Sequence, residues 1–198
     1  MSTDPIEKRL KHHEKTLNDA LKLIITQYLA NEITFHEAYG AGESLIKGTV
    51  ERVVKEANAE AEALGLPRVS PEEIDALIEQ LSKDFLNEMS MMPLDPDDAL
   101  LRVGLTAWAV VWVPYNTVII ESAKAAGVSH LRWVTSKFEP WKTCQICKAN
   151  EGIHRIEEFP TYPAHLRCRC YVEVPVLSER AWLDSMFIRS MARLKGLS

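Results

Sequence analysis

The residues with the clearest chemical capacity are five sulfur and nitrogen donors in one stretch: Cys144, Cys147, His165, Cys168 and Cys170. They include all four cysteines of the 198-residue chain, and the first 143 residues contain none. Zinc takes four ligands in a tetrahedron, commonly thiolates and imidazoles. Two intervening residues make a loop tight enough to turn both sulfurs of a Cys-x-x-Cys pair onto one ion, and Cys144-Gln145-Ile146-Cys147 supplies that half-site. The other half, His165-Leu166-Arg167-Cys168-Arg169-Cys170, follows after seventeen intervening residues and offers three donors for two places. On a strand, Cys168 and Cys170 point to the same face, so one or both can reach the ion. Two ligand sets stay open: all four cysteines with His165 beside the site, or Cys144, Cys147 and His165 with either Cys168 or Cys170. Two disulfides, or buried free thiols, are the alternatives to a metal. A closed four-ligand site leaves no position for a catalytic water. A metal here is therefore expected to be structural zinc, adding folding free energy to a segment too short to bury much core.

The remaining chemically capable residues have plainer readings. His12 and His13 sit on a charged helical pattern and are expected to face solvent. His36 falls in a capping sequence, and His154 lies near a turn. Glu157-Glu158 reads as a solvated turn and not as paired catalytic carboxylates. There is no G-x-S-x-G elbow, H-E-x-x-H helix or Walker loop, so no enzyme and no small-molecule substrate are expected. Arg167 and Arg169 interleave with the second cysteine pair. They either solvate an edge strand or contact phosphate or a partner's carboxylates. Trp133 and Trp141 precede the first pair and read as the knuckle's own small apolar core.

The elements that must position this cluster are mostly helices. Asp4-Pro5 opens a first helix with Leu17, Leu21, Ile24, Ile25 and Tyr28 at helical spacing and Asn31 as its stop. Thr34-Phe35-His36-Glu37 is a capping box for a second, which Gly65 and Pro67 end near Leu64 and which Gly40 and Gly42 weaken. Ser70-Pro71-Glu72-Glu73 starts a third, with Ile74, Leu77, Ile78, Leu81 and Phe85 as its buried stripe. After the turn Pro93–Asp98, capped by Asp95 or Asp97, a fourth runs from Asp98 to Ala126 and stops at Gly127. Its stretch Val103–Ile120 holds no charged residue. A buried central helix kinked at Pro114 is expected, with a membrane span or a pair of strands as the alternatives. Leu131–Thr135 and Tyr171–Val174 alternate like strands. Ser178 can cap a last helix carrying Trp182, Met186 and Phe187 on one side and Arg180, Arg189, Arg193 and Lys195 elsewhere.

The expected fold class is α+β, mainly α-helical: a helical region 1–127, a β/zinc-knuckle module 128–176 and an amphipathic helix 177–198. Charge divides along the same line. Residues 1–126 carry 12 basic and 21 acidic side chains, and residues 127–198 carry 11 and 7. The first part is expected to bind nucleic acid poorly. The second, with Arg167, Arg169, Arg189 and Arg193, can face phosphates or an acidic protein surface. The charged start lacks the apolar core of a signal peptide, so export by that route is not expected.

Trp133-Val134-Thr135, Thr143-Cys144-Gln145-Ile146-Cys147, Glu151-Gly152, Pro160, Pro163, His165-Leu166-Arg167-Cys168-Arg169-Cys170 and Pro175, in that order, resemble the Mu F-like phage head morphogenesis family. The resemblance covers roughly residues 100–176. It departs from the family where Lys137-Phe138-Glu139 stands near an expected aspartate, where Thr106-Ala107-Trp108 lies near an expected Arg-Thr-Glu-like run, and where Leu166 follows the histidine in place of a common proline. The resemblance implies a virion structural protein: a minor capsid component assembled in the host cytoplasm, associated with the portal or major capsid protein, and linked to the packaging or delivery of DNA. A cellular zinc-knuckle protein that binds nucleic acid is the competing reading.

Overall fold

The computed structural model describes residues 5–91, 96–136, 144–165 and 167–175. The expected Asp4 cap, the side chains of Phe85, Asp95 and Asp97, Trp141, and the C-terminal helix with Arg189 and Arg193 lie outside what is described. The fold is α+β and mainly helical. Four long helices, α1 (Pro5–Leu29), α2 (Phe35–Ala63), α3 (Pro71–Met91) and α4 (Pro96–Ala125), precede β1 (His130–Val134), a short α5 (Gln145–Asn150), β2 (Gly152–Arg155) and β3 (Tyr171–Glu173).

Local sequence explains where the helices begin and end. Thr34 and Glu37 form the reciprocal capping box: the Glu37 N–H donates to Thr34 Oγ1, and the Glu37 carboxylate accepts from the Thr34 N–H at 2.8 Å. Ser70 and Glu73 repeat it at the start of α3. The stops share one geometry. Gly65 (φ 74°) and Gly127 (φ 68°) adopt the left-handed conformation, and the next residue's N–H reaches five residues back, Leu66 to Ala61 and Val128 to Ala123, both at 2.9 Å. This satisfies carbonyls that a helix end otherwise leaves bare. Asn31 (φ 59°) closes α1 in the same way.

α4 is the centre of the molecule. It packs against α1, α2, α3 and β3, which is why its apolar residues surround it instead of forming one stripe. Val103, Ala107, Val110, Val111 and Trp112 are wholly buried, and the helix continues through Pro114. Thus Val103–Ile120 is helix, not strands. By length and composition α4 can cross a membrane, but 67% of its apolar window is buried inside the protein, the setting of a core helix. Each large side chain so buried contributes roughly 1.5–3 kcal/mol.

Polar groups inside this body are paired across helices. His13, expected to face solvent, is 9% exposed, and its Nε2 lies 3.1 Å from Glu56 on α2. Arg9 pairs with Glu56 and Glu60, and the Tyr115 hydroxyl on α4 donates to Glu60. Buried Glu7 accepts from Ser136 just beyond β1. The charged face of α1 is therefore partly an interior face, because α2 brings matching carboxylates to it.

The strands form one antiparallel sheet in the order β2-β1-β3, with Leu131 opposite His154 and Trp133 opposite Val172. One contiguous apolar core runs from α1 to β3 and takes in Trp133, Tyr171 and Val172 along with the helical residues.

Candidate metal centre

Cys144 caps α5. Its backbone is extended (φ −72°, ψ 164°), and its Sγ accepts a hydrogen bond from the Cys147 N–H at 3.3 Å. The sulfur takes the place that a serine or aspartate oxygen takes in an ordinary cap. The first helical turn then carries the Cys147 side chain round beside it. Across the sheet's end, Cys168 and Cys170 come immediately before β3 and not on it, so the expected strand geometry does not explain their convergence. A turn through Arg167 (φ 61°), with the Cys168 N–H donating to the His165 carbonyl at 3.1 Å, does.

Cys147 is the hub of the cluster. Its Sγ lies 3.0 Å from His165 Nε2 and 3.6 Å from Cys168 Sγ. The donor atoms of Cys144, Cys147 and His165 all lie within 4.8 Å of one another, and so do those of Cys147, Cys168 and Cys170. The fold thus brings all five sequence-derived donors together as two triads sharing one sulfur. Cys147, Cys168 and Cys170 are buried, while Cys144 and His165 are partly exposed. All four cysteines are free thiols, not disulfides. Such a cluster can hold a metal ion. Two sulfurs each about 2.3 Å from a tetrahedral zinc stand about 3.8 Å apart, close to the Cys147–Cys168 separation.

The thiols hold their protons unequally. Burial pushes Cys147 up to about 12, against hydrogen bonding from Cys170. Hydrogen bonding from the Cys170 thiol pulls Cys168 down to about 6 despite burial. Cys170, as that donor and as a buried group, is pushed up. Without a metal the cluster is therefore a thiolate at Cys168 solvated by neighbouring thiols, and a cation binding there displaces their protons.

The cluster is keyed to α4 by a stripe that sequence reading missed. Gly104, Trp108, Trp112 and Asn116 recur every four residues and share one helix face. Trp108 Nε1 donates to the Cys168 carbonyl at 3.0 Å, and the Tyr162 hydroxyl donates to the same oxygen at 3.1 Å. Asn116, fully buried, donates through Nδ2 to the Trp112 carbonyl and accepts through Oδ1 from the Val172 N–H, both at 2.7 Å. Trp112 Nε1 donates to Glu14 on α1 at 2.8 Å. A Cβ at Gly104 would stand 3.6 Å from Arg167 Nη2, an ordinary contact, so the guanidinium packs against this face of α4. The available signal was that polar-capable and small residues fall at a period of four inside an otherwise apolar helix.

Neither expectation for Arg169 describes its position. Its guanidinium clamps the Glu14 carboxylate with two hydrogen bonds, one from Nε at 3.0 Å. Arg167 is exposed, and its Nη2 lies 3.4 Å from the Leu101 carbonyl. Trp133 fills the sheet's inner face against Phe159 and Tyr162, at ring separations of 5.9 and 5.6 Å. His154 lies on β2, where its Nε2 donates to the Asn150 carbonyl at 2.7 Å. Glu157 and Glu158 are exposed on a turn, as expected. No protein-family model, curated protein or solved structure matches this chain.

Proposed function

We propose that this chain is a structural minor head protein of a tailed bacteriophage, acting at the portal or major capsid protein during DNA packaging or delivery, and that zinc occupies the Cys/His cluster. The observation that carries the reading is the convergence of the ordered Cys-x-x-Cys and His-x-x-Cys-x-Cys donors into one site. That site is tied to α4 by Trp108 and continuous with the sheet of Trp133. The stretch resembling the head morphogenesis family is thus one physical unit of helix, sheet and cluster. Soft thiolates with one imidazole favour zinc among common divalent ions, given tetrahedral spacing. With four of the five donors on the ion, no ligand position is left for water, and the metal holds structure and does no chemistry.

Two measurements test this. Elemental analysis of the purified chain should give one zinc per molecule, falling to none in Cys147→Ser; a metal-free wild type would remove the zinc. Comparing Cys144→Ser, Cys170→Ser and His165→Ala then identifies the donor that can be spared. For the particle role, the gene should sit beside portal and terminase genes, and the chain should co-purify with heads. Absence of both would sink the head-protein reading.

A further inference from the structure

A separate concavity lies away from the cluster. It is a cleft of about 890 Å³ between α1, the start of the described part of α4 and the loop that carries Arg167 and Arg169. Its walls include Lys8, Lys11, Lys15, Lys22, Arg167 and Arg169. The lysines stand three, four and seven residues apart on α1, a single face about 21 Å long at 1.5 Å per residue. Among the described lining residues the one acidic side chain, Glu14, is already held by Arg169 and Trp112. Lys15 also pairs with Asp19 at 3.0 Å. Arg167, whose backbone is left-handed, lines the cleft with its Nη2 3.4 Å from the Leu101 carbonyl. A cationic wall thus lies mainly on the acidic half of the sequence, where nucleic-acid binding was not expected.

We infer that this cleft binds the sugar–phosphate backbone of duplex DNA without reading its sequence. Lysine is depleted in the centres of protein–protein interfaces, which favour aromatic anchors. Here lysines dominate, and no Trp, Tyr or Phe is among the described lining residues. Cations in a row on one helix suit a polyanion with one charge per about 1.7 Å of axis, contacted through phosphates that position without specifying. The choice of DNA as the polyanion rests on the head-protein reading; the charge arrangement does not.

The test is fluorescence anisotropy of the full zinc-loaded chain with labelled duplexes of unrelated sequence, across a salt series. The duplexes should bind alike, with affinity falling steeply as salt rises. Lys8→Gln/Lys22→Gln should lower the slope of log affinity against log salt by about 2, and adding Arg167→Gln by about 3, one for each lost phosphate contact. The pair variant lies outside the metal cluster, so zinc content and circular dichroism should stay unchanged. The control Lys47→Gln/Arg52→Gln/Lys55→Gln removes the same charge from the exposed face of α2 and should leave the slope alone. Failure of any duplex to bind overturns the inference, as does an equal loss in the control. It is also overturned if polyglutamate, and not DNA, is released by the cleft variants, since the cleft then takes an acidic protein segment. DNA binding untouched by the cleft variants would reject the cleft and leave the head-protein reading standing. Absence of the chain from purified heads, with no portal or terminase gene beside its own, would reject that reading and leave the cleft standing.

Discussion

At the scale of single residues, the cluster's behaviour follows from where its protons sit. Cys147 and Cys170 are held above the ordinary thiol range, so both are protonated at neutral pH in the metal-free chain, whereas Cys168, near 6, is ionised. Metal binding through Cys147 must therefore expel its proton, and Cys170 adds a second where it is a ligand. The sign follows: affinity rises with pH and falls as pH drops. The expected fall near neutrality is about 10-fold per pH unit for each such proton. It becomes steeper below about 6, where Cys168 also takes up a proton. Zinc competition titrations over a pH series check this; a flat profile would mean that the thiols are not the ligands. Asn116 gives a second test. It is buried, donates to the Trp112 carbonyl and accepts from the Val172 N–H, joining α4 to β3. Asn116→Leu leaves the Val172 N–H without its partner and should cost about 1–3 kcal/mol in urea unfolding, with no loss of zinc stoichiometry.

At the scale of elements, two glycines predict opposite outcomes. Gly127 stops α4 at φ 68°, a conformation that costs a side chain about 1–2 kcal/mol, so Gly127→Ala should destabilise by that amount. Gly48 sits inside α2, with nothing within 4 Å of where a Cβ would stand. Gly48→Ala should instead stabilise by roughly 0.5–1 kcal/mol through reduced unfolded-state entropy. Thermal unfolding of both variants reads the difference directly. These stops and caps were legible in sequence because each is settled within five or six residues. β2 was not: Gly152–Arg155 is four residues long and becomes a strand only because β1 lies beside it. The period-four stripe of α4 was visible as spacing, but its meaning depends on the knuckle packing against that face.

At the scale of the whole molecule, Glu14 and Arg169 join the first helix to the cysteine loop across 155 residues of sequence. A double-mutant cycle with Glu14→Gln and Arg169→Gln should return a coupling of about 1–3 kcal/mol, because the pair shares one hydrogen-bond network with Trp112. Chelating the metal from the zinc-loaded chain should expose the amides of β1 and β3 to hydrogen exchange while leaving most helical circular dichroism. The packing of α1, α2 and α4 needs no sulfur; only the sheet end is stapled by the cluster. Equal loss of the helical signal would show that the metal holds the entire fold. The sequence by itself determined the four long helices, their stops, the strands β1 and β3 and the five candidate donors, since each depends on spacing within a turn or a loop. Tertiary structure alone decided that His13 is buried against Glu56, that Arg169 is spent on Glu14 and Arg167 is left over a lysine-lined cleft, and that α4 is a core. Partners far apart in sequence meet only when apolar burial has set the helices side by side, and charge counted along a chain says nothing about which face will carry it.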